Sequence, residues 1–243
     1  MCLGQAVNSF DTAIISFFNH FAHRSWAFDT FLYLLDFNSL LKTTPILTVL
    51  WWAWFREDEK RVLHRELLLS GIIASFPAIA FARLVSVMAP FRERPMRSLS
   101  FHFQLPYNMK PEHLMGWSSF PSDNATLVFT VATSLLFASR RAGVFSLCYS
   151  FITVGLARIY LGIHYPTDIL VGAFIGIATA AVFRVPAVRI PVTRPAMRWL
   201  NMAPGSFYAC FFLITYLIAD TFNSLIEPYN FFSAMVKAIR KLL

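Results

Sequence analysis

Residues 67–88 form an unbroken apolar stretch in which Arg83 is the sole charged side chain. A helix of about 20 such residues crosses the roughly 30 Å hydrocarbon core of a bilayer, so the membrane is the solvent this chain must satisfy first. Comparable stretches at 40–55, 122–138, 144–161, 168–183 and 207–226 bring the candidate spans to six, the first being short. Composition agrees, since 57% of the residues are hydrophobic and 14% charged, where soluble proteins carry about 45–50% and 25%. The expected fold is an all-α integral membrane helical bundle. It forms one polytopic domain over 1–243, with about six transmembrane helices in a core at 39–227.

The flanks are amphipathic. Within 1–38, Phe10, Ile14, Phe17, Phe18 and Phe21 recur at helical spacing while Asp11, Asn19 and His20 take other positions, which predicts an N-terminal helix lying in the membrane interface. The tail at 228–243 repeats the idea more weakly, setting Phe231, Phe232, Met235 and Ile239 against Lys237, Arg240 and Lys241. Cys2, Cys148 and Cys210 lie far apart, so neither a disulfide framework nor a metal knuckle is expected. No cleavable signal peptide is visible at the N-terminus.

The net charge of +8 is read as topology. When the six spans are threaded alternately, Arg56, Lys60, Arg61, Arg65, Arg140, Arg141, Arg184, Arg189, Arg194 and Arg198 fall on one side, which the positive-inside rule makes cytoplasmic. The other side receives both termini, the long connection at 89–120 and the short turn at 162–167, so candidate chemistry in those loops faces outward. Nucleic acid is not expected as a partner, because no basic patch with interleaved aromatics lies on a water-soluble surface.

Three segments carry the chemistry. The first, Arg92-Glu93-Arg94-Pro95-Met96-Arg97, puts three arginines at a membrane boundary. Guanidinium forks match phosphate oxygens, although snorkelling to the interface accounts for such a cluster equally well. The second, Pro121-Ser122-Asp123-Asn124, precedes an apolar span, where Ser122 or Asp123 caps the helix and free backbone N–H groups suit an anion. The third, Arg158-Ile-Tyr-Leu-Gly-Ile-His164-Tyr-Pro-Thr-Asp168, is the sharpest. Pro166 suits the first turn of a new helix, leaving 162–165 as a tight turn with His164 at its mouth. Asp168 is then within reach of one imidazole nitrogen, which leaves the other free to attack, while Arg158 neutralises a transferring phosphoryl group.

These segments resemble the three motifs of the type-2 phosphatidic acid phosphatase superfamily, the membrane lipid phosphate phosphatases that share a site with vanadium haloperoxidases. The family pattern is approximately Lys-x6-Arg-Pro, Pro-Ser-Gly-His and Ser-Arg-x5-His-x3-Asp. Here Arg94-Pro95, Pro121-Ser122 and Ala157-Arg158-x5-His164-x3-Asp168 match it, in the same order and with similar intervening spans. The resemblance implies a metal-independent reaction without cofactor, in which His164 attacks phosphorus and water hydrolyses the phosphoenzyme. It makes Asp168 the orienting partner and Arg94, Arg158 and Ser122 phosphate ligands. Asp123, adjacent to the second motif, is carried with them.

Ala157 replaces the usual serine of the third motif, and two further departures limit the match. The lysine of the first motif falls on Val87, so Arg83, one turn earlier, or Arg92 or Arg97 takes its place. Asn124 stands where the family has histidine; an amide donates a hydrogen bond to phosphate but does not act as a general acid. The expected substrate is a lipid phosphate or diphosphate in the bilayer, most naturally an undecaprenyl pyrophosphate-like carrier, at a bacterial inner membrane with the site facing the periplasm. A phosphotransferase of the same superfamily and a catalytically silent lipid-binding protein are the alternatives.

Overall fold

The computed structural model describes residues 8–98, 102–112 and 114–221, and within them every regular element is helical. In chain order these are α1 (Ser9–Asn19), α2 (Trp26–Phe37), α3 (Ser39–Lys42), α4 (Thr44–Phe55), α5 (Arg61–Met88), α6 (Asp123–Ala138), α7 (Arg140–Ser150), α8 (Ala157–Tyr160), α9 (Pro166–Arg184), α10 (Pro186–Met202) and α11 (Pro204–Ala219). A six-residue π-helical turn, Phe151–Leu156, joins α7 to α8 without a break. The tail at 228–243 lies outside the described residues, as does Cys2.

As far as they are described, the six apolar stretches are helical, that at 144–161 as α7, the π-helical turn and α8 together. Among the described residues three segments are long and apolar enough to cross a membrane, namely Arg61–Met88, Arg140–Tyr160 and Pro166–Arg184, while Thr44–Phe55, Asp123–Ala138 and Pro204–Ala219 are shorter. The protein is an integral membrane protein built around these helices. At its centre α6 packs against α5 and α9. The approach of α9 requires glycine: a Cβ at Gly172 would lie 2.4 Å from the Ser122 carbonyl oxygen, and one at Gly176 2.4 Å from that of Thr126. Small residues four apart let helix backbones meet in lipid, where apolar burial alone does not drive association.

Alternation of the long helices sorts the two ends of the bundle. Arg184 lies over the Phe137 ring and Arg189 pairs with Glu66 at 3.2 Å, at the end that carries Arg61 and Arg140. At the opposite end the Ser122 N–H donates to the Asp168 carbonyl at 3.1 Å and that of Met96 to Gly162 at 3.0 Å. All three motif segments meet there.

Two elements differ from expectation. In α1 two of the polar positions turn inward: Asp11 is fully buried and Asn19 exchanges hydrogen bonds with the Gln104 backbone at 2.7 and 2.9 Å, while Phe10 and Phe17 are exposed. The third, His20, is exposed beside Arg24, and Ile15 is buried with Asp11. The segment that carries Arg189, Arg194 and Arg198, for which no element is expected, is the helix α10, with Pro186 in its first turn and Pro191 and Pro195 inside. Interior prolines remove helical hydrogen bonds, which is why the sequence does not read as a helix there.

Candidate active site

The turn between α8 and α9 presents His164. Gly162 has φ +68°, a left-handed conformation that favours glycine; a Cβ there would also meet the Phe103 ring at 2.5 Å. Helix α9 then starts at Pro166, and Asp168 closes its first turn by accepting from the Tyr165 N–H at 2.9 Å.

The environment of His164 fixes its tautomer. Nδ1 lies 2.8 Å from the Ser119 carbonyl oxygen, which only accepts, so Nδ1 carries the proton. Nε2 lies 3.1 Å from Nη1 of Arg158, which only donates, so Nε2 keeps its lone pair. Burial, and after it the positive charges of Arg94 and Arg158, hold the imidazole well below its ordinary pKa. A neutral ring with one free nitrogen beside an arginine is the form a nucleophile requires.

A cavity of about 400 Å³ opens at this end, with Arg83, Arg94, Asn124, Arg158 and His164 in its wall alongside Asp123, Trp117, Ile79 and Leu127. Arg94 donates to the Ile163 carbonyl at 2.8 Å while its Nε is buried without a partner. Burial, then the charges of Arg158 and Arg97, lower its pKa to about 10, which leaves it charged at neutral pH. Arg158 is gripped from behind by Asp36 of α2, with Nε 2.7 Å from Oδ1 and Nη2 3.4 Å from Oδ2. With its oxygen turned to the guanidinium, as the surrounding donors require, Asn124 accepts from Nη1 at 2.9 Å and Nη2 at 3.3 Å.

Other residues singled out from sequence sit differently. Asp168 is not the hydrogen-bond partner of His164: its Oδ2 is 3.6 Å from Nδ1, and the Ser119 carbonyl holds the nearer place. Arg92 points away from the cavity, bound to Asp168 at 2.5 Å, to Asp11 at 2.7 Å and to the Thr167 hydroxyl at 2.8 Å, with its guanidinium over the Tyr165 ring. Two carboxylates therefore claim it as a structural cation. Ser122 is fully buried, and its Oγ caps α6 by accepting from the Ala125 N–H at 3.4 Å. Arg83 does reach the cavity wall, but in this state it pairs with Asp123 at 2.6 Å and stacks over Trp117. Asp123 thus faces a cation, its other oxygen lacking a partner. Arg97 instead faces Glu93 at 3.1 Å.

Sequence reasoning missed Ser119, Asp36 and Asp11. The contribution of Ser119 is a backbone carbonyl, which no residue pattern discloses. The two aspartates were visible only as isolated charges among apolar residues, which inside a membrane protein is itself a functional signal.

Comparison with known proteins follows this geometry. A bacitracin transport permease protein, BcrC, of Bacillus licheniformis is 32% identical over 108 residues, covering 42% of this chain and 52% of that protein. An undecaprenyl-diphosphatase, BcrC, of Bacillus subtilis is 22% identical over 163 residues, 67% of this chain and 76% of that one. A lipid A 4'-phosphatase of Bacteroides thetaiotaomicron is 28% identical over 178 residues, 71% and 74% of the two chains. The chain thus spans about half the length of the first of these relatives. No solved structure matches it. The model of the PAP2 superfamily matches residues 63–189, over half of the chain and the whole stretch from Arg83 to Asp168, and the chain belongs to that superfamily.

Proposed function

We propose that the protein is a lipid phosphatase that hydrolyses a polyprenyl or glycerolipid phosphate or diphosphate through a phosphohistidine on His164. The observation that carries this reading is the lone pair of Nε2, left free by the Ser119 carbonyl and facing Arg158 at a cavity that Arg94 also lines. Nε2 forms the bond to phosphorus while the bridging P–O bond breaks in line with it. Arg94 and Arg158 offset the charge on the equatorial oxygens, which is where most of the catalysis in phosphoryl transfer arises. The ring becomes cationic, and Asp168 at 3.6 Å faces that charge. Water then forms the second P–O bond, the N–P bond breaks, and His164 returns to its neutral form as inorganic phosphate leaves. No step calls on a metal.

Asn124 steers the substrate class. A carboxamide supplies no proton to an alkoxide, whereas a lipid monophosphate leaves a diphosphate without one. We therefore assign a diphosphate of the kind cleaved by the undecaprenyl-diphosphatase relative as the preferred substrate. The test is phosphate release by the purified protein from matched lipid mono- and diphosphates, with and without an acceptor lipid. Faster diphosphate turnover that is indifferent to the acceptor supports hydrolysis. Turnover that requires the acceptor replaces it with phosphotransfer, the second reading that the missing acid favours. Absence of turnover on the whole panel overturns both.

A further inference from the structure

The family match begins at residue 63, yet the helices before it reach into the site. Asp11, Asp29 and Asp36 are each 0–1% exposed, and each binds an element that carries the site. Asp11 holds Arg92 and the Thr167 N–H, Asp29 accepts from the Tyr160 hydroxyl, and Asp36 holds Arg158.

Asp36 has the most direct consequence. A guanidinium presents its donors in a rigid planar fork, so fixing one edge fixes the direction of the next. Asp36 takes the Nε–Nη2 edge. The Nη1–Nη2 edge is thereby aimed at Asn124, and Nη1 at Nε2 of His164. That second edge is the one a phosphate would engage bidentately. Arg158 is itself buried, 5% exposed, so no solvent competes to reorient it. Lys42 is also buried, and its charge acts on the same carboxylate. One anion thus answers to two cations, one of which faces the site.

We propose that Asp36 is a positioning residue for phosphoryl transfer, holding the anion-binding edge of Arg158 toward His164, so that the segment before the family-matched region forms part of the catalytic apparatus. The proposal rests on the reading of the site as a phosphatase. At metal centres, partners that orient a ligand without touching the substrate change affinity or activity by about 10- to 100-fold, and the same order is expected for one that orients an arginine.

The experiment uses the full chain in detergent or nanodiscs and reads two quantities, turnover of a lipid diphosphate and affinity for orthovanadate, a five-coordinate mimic of the transferring phosphoryl group. Three variants are compared: Asp36→Asn, the charge-balanced pair Asp36→Asn with Lys42→Met, and Asp36→Glu, which keeps the charge but moves the carboxylate. The pair and the glutamate variant cover the case in which two uncompensated cations stop the single variant from folding. Expected is a folded protein whose vanadate affinity and kcat fall by about 10- to 100-fold, with KM for the lipid little changed and the glutamate variant falling least. A purely structural aspartate would lower the yield of folded protein while the folded fraction bound vanadate normally. Wild-type vanadate affinity and kcat in the folded variants overturn the proposal and leave the phosphatase reading intact. A wild type that binds vanadate but releases no phosphate from any lipid removes the phosphatase reading, while weakened vanadate binding in the variants still upholds the role of Asp36.

Discussion

Each donor of Arg158 already has a partner among Asp36, Asn124 and His164, so phosphate must displace Asn124 from the anion-facing edge before it can bind there. Replacing Asn124 with alanine should therefore tighten orthovanadate binding while leaving a monophosphate ester as poor a substrate as before. Vanadate inhibition of the variant checks this, and weaker inhibition would make Asn124 a phosphate donor instead. His164→Ala should release no phosphate from a protein that still folds. Asp168→Asn should be slowed well short of the ~10⁴-fold loss that follows when the aspartate of a serine-protease triad is neutralised, because here the Ser119 carbonyl sets the tautomer. The pH profile follows from the lowered pKa of His164. The free enzyme keeps a neutral ring as pH falls through about 6.5, the ordinary histidine value, so kcat/KM should hold there and decline only in more acid solution. An acid limb centred at or above the ordinary value counts against His164 as the group. Of this set, Arg94, Arg158, His164 and Asn124 were legible from motif spacing. Which of Arg83, Arg92 and Arg97 stands for the first-motif lysine was not, because the contacts that put Arg83 in the cavity wall and turn Arg92 to Asp11 and Asp168 are tertiary and leave no periodicity in the sequence.

Among the elements, the apolar stretches announced α4 to α7, α9 and α11 because lipid demands runs of apolar residues whatever the tertiary contacts. Helices α2 and α10 escaped for opposite reasons. The first buries Asp29 and Asp36 while Trp26, Phe28, Phe31 and Phe37 are exposed, and the second breaks the proline rule. The contact between α6 and α9 sets a strict demand on packing, with backbone oxygens 2.4 Å from a Cβ at Gly172 or Gly176. Gly176→Val should lower the melting temperature of the purified protein and deplete its folded fraction, overpacking of this kind costing about 1–3 kcal/mol. Gly205→Ala is the control, since nothing lies within 4 Å of a Cβ at that position. Equal stability of the two variants would mean that α9 has room to move. The π-helical turn at Phe151–Leu156 sets the direction of Arg158, which follows it by two residues.

For the molecule as a whole, the sorting of charges between its two ends predicts which end cells present to the outside. In a background lacking Cys2, Cys148 and Cys210, Lys110→Cys should react with an impermeant thiol reagent in intact cells and Arg61→Cys should not. The reverse pattern would place the cavity on the cytoplasmic side and exclude a substrate exported across the membrane. The buried aspartates of the first two helices also carry a consequence in time. Asp11 is made 81 residues before Arg92 and Asp36 122 residues before Arg158. At about 5–20 residues per second, Asp11 waits roughly 4–16 s for Arg92 to be made. Until then a carboxylate without its cation belongs at the lipid–water boundary and not inside. An amphipathic α1 suits that boundary, and in the finished protein Asp11 faces inward with Arg92 as its partner.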